Sequence, residues 1–300
     1  TCTWRGVANP SGGSLATVTF CEALNAVATV TGVTNVTEYL WTLPVGITAS
    51  STLTTVNNTT LRSNSPGTYT VTVTPRNVSG GITCSGPDIT GTVIVKSRSN
   101  APTSISTSAN PICVGSSTTL TPVGGFLGTG AVYSWYRDGY PGGTFIQNST
   151  AGSPSITVSP TTTTTYYVIA NGDCNTTSAA SVTVTVNTFS TAPTGITGTT
   201  TICNGGNTTL TVAGGSLGSG ATWQWYSGSC GGTPFDSGTS VTVFPTTTTT
   251  YFVRAEGPCN TTTCASVTVT VNTLSTDPTG VSGSTTICNG SSTTLTVSGG

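Results

Sequence analysis

Ten cysteines stand in a 300-residue chain that has no histidine. That combination points to disulfide chemistry, because a zinc site built from cysteine alone needs Cys-x-x-Cys pairs and none occurs. Disulfides in turn point to an oxidising, extracellular setting. Without histidine, a Ser-His-Asp triad and a His-ligated metal are both excluded. The eight carboxylates are scattered singly along the chain. A glycosidase needs two of them about 5–10 Å apart, and a calcium site needs several together; Asp277 stands alone. The chemistry to expect is cross-linking, with no catalysis, no cofactor and no metal.

Charged residues make up only 5% of the chain, the net charge is −1, and hydrophobic residues reach 34%. No basic patch exists to hold nucleic acid. No apolar run approaches the roughly 18 residues of a membrane helix, so no membrane span is expected, and no segment of the given sequence reads as a signal peptide. The chain opens Thr1-Cys2, without methionine, as a processed or excised segment would. Threonine is abundant, and its polar hydroxyl on a branched Cβ suits solvated strands.

Repeats must position the cysteines. Ser159-Pro-Thr-Thr-Thr-Thr-Thr-Tyr-Tyr-Val168 returns as Phe244-Pro-Thr-Thr-Thr-Thr-Thr-Tyr-Phe-Val253. Each copy follows a Trp-Tyr pair (Trp135-Tyr136, Trp225-Tyr226) and precedes a cysteine and an alternating run, Ser181–Val186 or Ser266–Val271. Such alternation is the pattern of a half-buried strand. Short strands at regular spacing, with glycine pairs at the turns and no helical period, predict an all-β fold of tandem Ig-like β-sandwich domains in a rod. The boundaries expected are 1–100 for a divergent first domain, 101–190 and 191–276 for two full repeats, and 277–300 for the incomplete start of another. Residues 277–300 match only the linker and first strands of a repeat, so Leu295 and Val297 would need completion by more protein.

The repeat also suggests the bridges. Cys113 and Cys203 are equivalent, as are Cys174 and Cys259, which gives Cys113–Cys174 and Cys203–Cys259, with Cys21–Cys84 by analogy. Cys230 and Cys264 occur only in the later repeat and read as partners. Each of the recurring bridges would then staple one end of its own sandwich. Cys2 and Cys288 are left over, for bonds within or between chains.

The combination Ile-Cys-Asn-Gly, Trp-x-Trp-Tyr-x-Gly, Cys-Gly-Gly-Thr and the Pro-Thr-run-Tyr strand resembles the tandem Ig-like repeats of large secreted Bacteroidota surface proteins. Residues 1–100, with Tyr39-Leu-Trp-Thr-Leu-Pro-Val-Gly46, are similar to the PKD-like domains of the same proteins. The resemblance implies export by the type IX route and a role in adhesins, gliding filaments or the spacers of polysaccharide-degrading enzymes.

Tyr133, Trp135, Tyr136 and Tyr140 are the candidates for a sugar-stacking platform. A strand would put 133 and 135 on one face and 136 on the other, which favours core packing for at least one ring. Asn148, Asn175, Asn207 and Asn260 head Asn-x-Ser/Thr sequons. With Thr161, Thr162, Thr163, Thr246, Thr247 and Thr248, they are the candidate glycosylation sites. The function expected is a structural segment of an extracellular, cell-surface fibre or adhesin stalk. Its partners would be the continuation of the same chain or further copies in a filament, and a cell-surface or polysaccharide ligand at a distal tip. The alternatives are spacer repeats of a secreted polysaccharide-degrading enzyme and a carbohydrate-binding module.

Overall fold

The alternating threonine and valine runs form strands whose valines turn inward, as in Gly67–Ser79, where Val71 and Val73 are buried while Thr72 and Thr74 are half-exposed. The computed structural model describes residues 7–300, and among these every regular element is a β-strand. They gather into two compact units. One holds the described residues up to Asn110 together with Ser117–Thr185, and the other holds Pro111–Ser116 with Val186–Gly300.

In the first unit, Asn25–Thr31 and Asn58–Arg62 are the centre of one sheet, and Ile89–Lys96, Gly67–Ser79 and Glu38–Thr42 the centre of the facing one. Trp41, Leu61, Val71 and Val93 fill the space between them. The same unit contains a second pair of sheets. Thr118–Val123 lies between Ser104–Thr107 and Ile156–Val158, and Val132–Arg137 between Thr144–Ser149 and Thr164–Asn171. The second unit repeats that plan. Thr208–Ala213 is flanked by Gly195–Thr197 and Ser240–Val243, while Thr222–Ser227, Thr249–Glu256 and Ala265–Asn272 make the opposing sheet around Trp225.

One strand pairing decides where the cysteines fall. A short early strand runs parallel to the closing strand: Val18–Cys21 along Ile89–Lys96, Ile112–Cys113 along Val186–Asn187, and Thr201–Cys203 along Ala265–Asn272. The register sets Cys21 opposite Lys96, Cys113 opposite Asn187 and Cys203 opposite Asn272. Every early cysteine therefore lies where its closing strand ends. The later cysteines Cys84 and Cys259 precede Ile89 and Ala265, where those strands begin. An eight-residue strand is about 25 Å long at roughly 3.3 Å per residue, far beyond the 7 Å between Cα atoms that a disulfide tolerates.

The last stretch, 277–300, supplies two paired strands, Gly280–Ser282 and Thr296–Ser298. Leu295 there is 60% exposed, whereas the equivalent Leu210 is fully buried.

Candidate functional site

The strand geometry corrects the expected bridges. Cys21 is bonded to Cys174 and Cys113 to Cys259, across 153 and 146 residues. Cys21–Cys84, Cys113–Cys174 and Cys203–Cys259 do not form, and Cys203 is a free, exposed thiol like Cys288. Cys84 is disulfide-bonded, and the expectation for Cys2 lies outside the described residues. Cys230 is joined to Cys264. Sequence reasoning identified equivalent cysteines but took the shorter of two pairings that respect the repeat equally well. The parallel early strand, which carries its cysteine to the exit end, was the missing signal.

Around each long bridge the same contacts recur. In the first unit, Asn175 follows the bonded Cys174, and its Nδ2 donates to the Ser99 carbonyl while its Oδ1 accepts from the Ser99 N–H, at 2.9 and 2.8 Å. In the second unit Asn260, following Cys259, grips Ser190 in the same way, both distances being 2.9 Å. A side-chain amide thereby satisfies both backbone groups of one residue, which would otherwise be buried without partners. Ser99 and Ser190 are 5% and 6% exposed. Their hydroxyls accept from Gly128 N–H and Gly218 N–H, each at 2.9 Å. At Gly128 and Gly218 a Cβ would come within 2.4 Å of the Ser97 carbonyl oxygen and 2.3 Å of that of Thr188, so only glycine allows the backbone this close. The Cys174 sulfur lies 3.7 Å from the Lys96 carbonyl oxygen, and the Cys259 sulfur 3.7 Å from that of Asn187. The first clamp adds the ion pair of Lys96 with Asp173, 2.7 Å.

The sugar-platform candidates divide. Trp135 is fully buried and its Nε1 donates to Ser149 Oγ at 2.9 Å, and Tyr133 is buried beside it in the strand. Tyr136 and Tyr140 are half-exposed and meet with ring centroids 5.0 Å apart at 52°. Phe145 meets Tyr136 edge-on. Rings tilted in this way shield one another and offer no common plane to a sugar. In the second repeat, Tyr226 is buried instead and donates from its hydroxyl to Glu256, which also accepts from Arg254. The Arg254 guanidinium lies 5.2 Å from the Tyr226 ring centroid. The Tyr226 hydrogen bond first, and Arg254 second, hold the Glu256 carboxyl below its ordinary range.

Of the glycosylation candidates, Thr161, Thr162, Thr163, Thr246, Thr247, Thr248, Asn148 and Asn207 are exposed. Asn175 and Asn260 are half-buried, with both amide atoms engaged in the clamps. Among the described residues no three cysteine or carboxylate side chains gather as metal ligands would.

Sandwiches of this strand plan, closed by a parallel early strand, define an immunoglobulin-like protein. The chain belongs to the family of Ig-like domains described as CHU_C associated, whose model matches residues 100–187 and 191–272. Among solved structures it is similar to the I-band fragment I67-I69 from titin, with a TM-score of 0.55 and 12% identity over 89% of this chain and 99% of that one. An E-to-A mutated variant of the same three titin domains gives 0.53 at 12% identity and the same coverage. That likeness is one of fold. No curated protein resembles the sequence at a significant level.

Proposed function

We propose that this chain is a structural segment of an extracellular fibre or adhesin stalk at a bacterial cell surface, of the Bacteroidota type its motifs resemble, exported by the type IX route. Its repeats follow the boundaries 1–100, 101–190 and 191–276, with 277–300 opening another. The observation that carries this reading is the interleaving of the two long bridges, since Cys113 lies inside the loop closed by Cys21–Cys174 and Cys174 inside that closed by Cys113–Cys259. Bridges within single repeats would protect each repeat and leave the links between them to backbone alone. Interleaved bridges give tension a covalent route from one repeat into the next.

Consider the chain fully unfolded but oxidised. Counting these two bridges alone, of the roughly 240 residues between Cys21 and Cys259 only the about 60 between Cys113 and Cys174 lie on the taut path, so about 180 residues, roughly 600 Å, stay slack. Such slack serves no catalyst and suits a load-bearing tether. Pulling single molecules from their ends in oxidising and in reducing buffer tests the reading. Reduction is expected to lengthen the fully extended chain by at least roughly that 600 Å, since any further bridge only shortens the oxidised path. Equal lengths in both buffers would remove the covalent load path and with it the stalk reading.

A further inference from the structure

The second unit carries the exit half of one more clamp. Cys203 lies opposite Asn272, as Cys21 lies opposite Lys96 and Cys113 opposite Asn187. The residue after each early cysteine donates its N–H to the carbonyl of that partner: Glu22 to Lys96 at 2.9 Å, Val114 to Asn187 at 3.0 Å, and Asn204 to Asn272 at 3.0 Å. Three residues further on stand Ser99, Ser190 and Ser275. The first two are buried under an asparagine amide, and Ser275 is exposed. The backbone pairing beside Cys203 thus already matches that beside Cys21 and Cys113.

We propose that Cys203, Asn272 and Ser275 bind the Cys–Asn loop of an Ig-like repeat continuing from residues 277–300, with Cys203 forming a disulfide to that loop's cysteine. Two observations fix the partner. In both filled clamps the serine sits in the linker that leads directly into the repeat supplying the asparagine, which makes the occupant of Ser275 the repeat opened by Asp277-Pro278-Thr279. The late cysteines of a second copy cannot supply it, because Cys84, Cys174 and Cys259 are already bonded, and its free Cys288 holds the early position, equivalent to Cys203 itself and not to the loop that follows the Thr-run strand. Two thiols lose their protons, and the exchanging disulfide of an oxidant such as oxidised glutathione takes the two electrons and leaves as two thiols. Cys288 is the next early cysteine in this series and stays free within its own repeat.

The inference rests on the tandem-array reading, but its test is a bond map and not a length, so either can fail alone. The full chain is extended after Gly300 with a copy of residues 216–276, which completes the last repeat because Gly300 aligns with Gly215. It is refolded with oxidised and reduced glutathione, alkylated and digested without reduction. The expected product links Cys203 to the copied Cys259, leaves Cys288 alkylated, and protects the copied Asn260 amide only when Cys203 is present. With the copied Cys230–Cys264 bond formed as the sign of a folded repeat, an alkylated Cys203 or a bond from the copied Cys259 to Cys288 overturns the proposal. A second extension with residues 126–190 in the same place offers Cys174 instead, and failure of both extensions to bond Cys203 also overturns it.

Discussion

In the repeat at residues 100–187 Tyr140 leans on Tyr136, whereas in the repeat at 191–272 the corresponding position is Cys230, bonded to Cys264 where the earlier repeat has Ala179. The edge of one sheet is closed by rings in the first case and by a covalent bond plus the Tyr226–Glu256–Arg254 cluster in the second. The clamps show no such freedom. Serine, glycine, cysteine and asparagine occupy the same positions in both, with hydrogen bonds equal to within a tenth of an ångström. An edge needs only to be covered, which several chemistries can do. A clamp must meet both polar groups of one buried backbone residue, and few side chains can.

The largest effect should separate the two kinds of bridge. Removing Cys113–Cys259 with serine at both positions frees a loop of 146 residues, and removing Cys230–Cys264 frees one of 34. Chain entropy assigns these about 5 and about 4 kcal/mol. Chemical denaturation of each double variant is expected to show the larger loss for the clamp bridge. A larger loss for the edge bridge would mean that covering the edge, and not joining the repeats, is the demanding task.

Smaller and sharper is the asparagine test. Asn175→Ala and Asn260→Ala each delete two hydrogen bonds to a buried backbone residue, an expected cost of about 2–4 kcal/mol including the unpaired groups left behind. Denaturation midpoints should fall by similar amounts in the two variants. A large fall in one alone would show that the clamps are alike in geometry but not in load. The Lys96–Asp173 pair is half-exposed and should add little to the first, as surface ion pairs do.

The sandwich was legible because alternation, turn glycines and the Thr-run strands are local signals, each held within about ten residues. The expectation that at least one ring of the Tyr133–Tyr136 strand packs in the core rests on the same local alternation, and Trp135 is fully buried. The bridges were not, since pairing early to late cysteine within a repeat or across to the next leaves every local pattern unchanged. Only the parallel register of Val18–Cys21 and its counterparts decides, and that register joins residues about seventy apart in sequence. Cys230–Cys264 escaped the ambiguity because it occurs once. Ser99 and Ser190 gave no signal at all, as a serine in a linker looks solvated until the asparagine of the following loop is placed over it.

The weakest expected effect probes the cluster at the covalent edge. Glu256 accepts from both Tyr226 and Arg254, and these two hold its carboxyl below the ordinary value of 4.5. A carboxyl that is more acidic folded than unfolded stabilises the fold fully above its unfolded pKa. That contribution is lost as the pH falls through the lowered folded value. Stability of the chain should therefore decline between about pH 5 and pH 2 with a component that Glu256→Gln removes, while the variant behaves like the parent in shape of profile elsewhere. Because the carboxylate is about one-third exposed, solvent screens the pair and the component is small. Tyr226 has the opposite sign, since burial raises its hydroxyl, so its share persists through neutral pH and fades only as the pH rises past the ordinary value of 10.0. Denaturation midpoints of parent and Glu256→Gln, measured across the acid range, check this. Profiles that stay parallel down to pH 2 would assign the edge to Cys230–Cys264 alone and leave the charged cluster without a share in it.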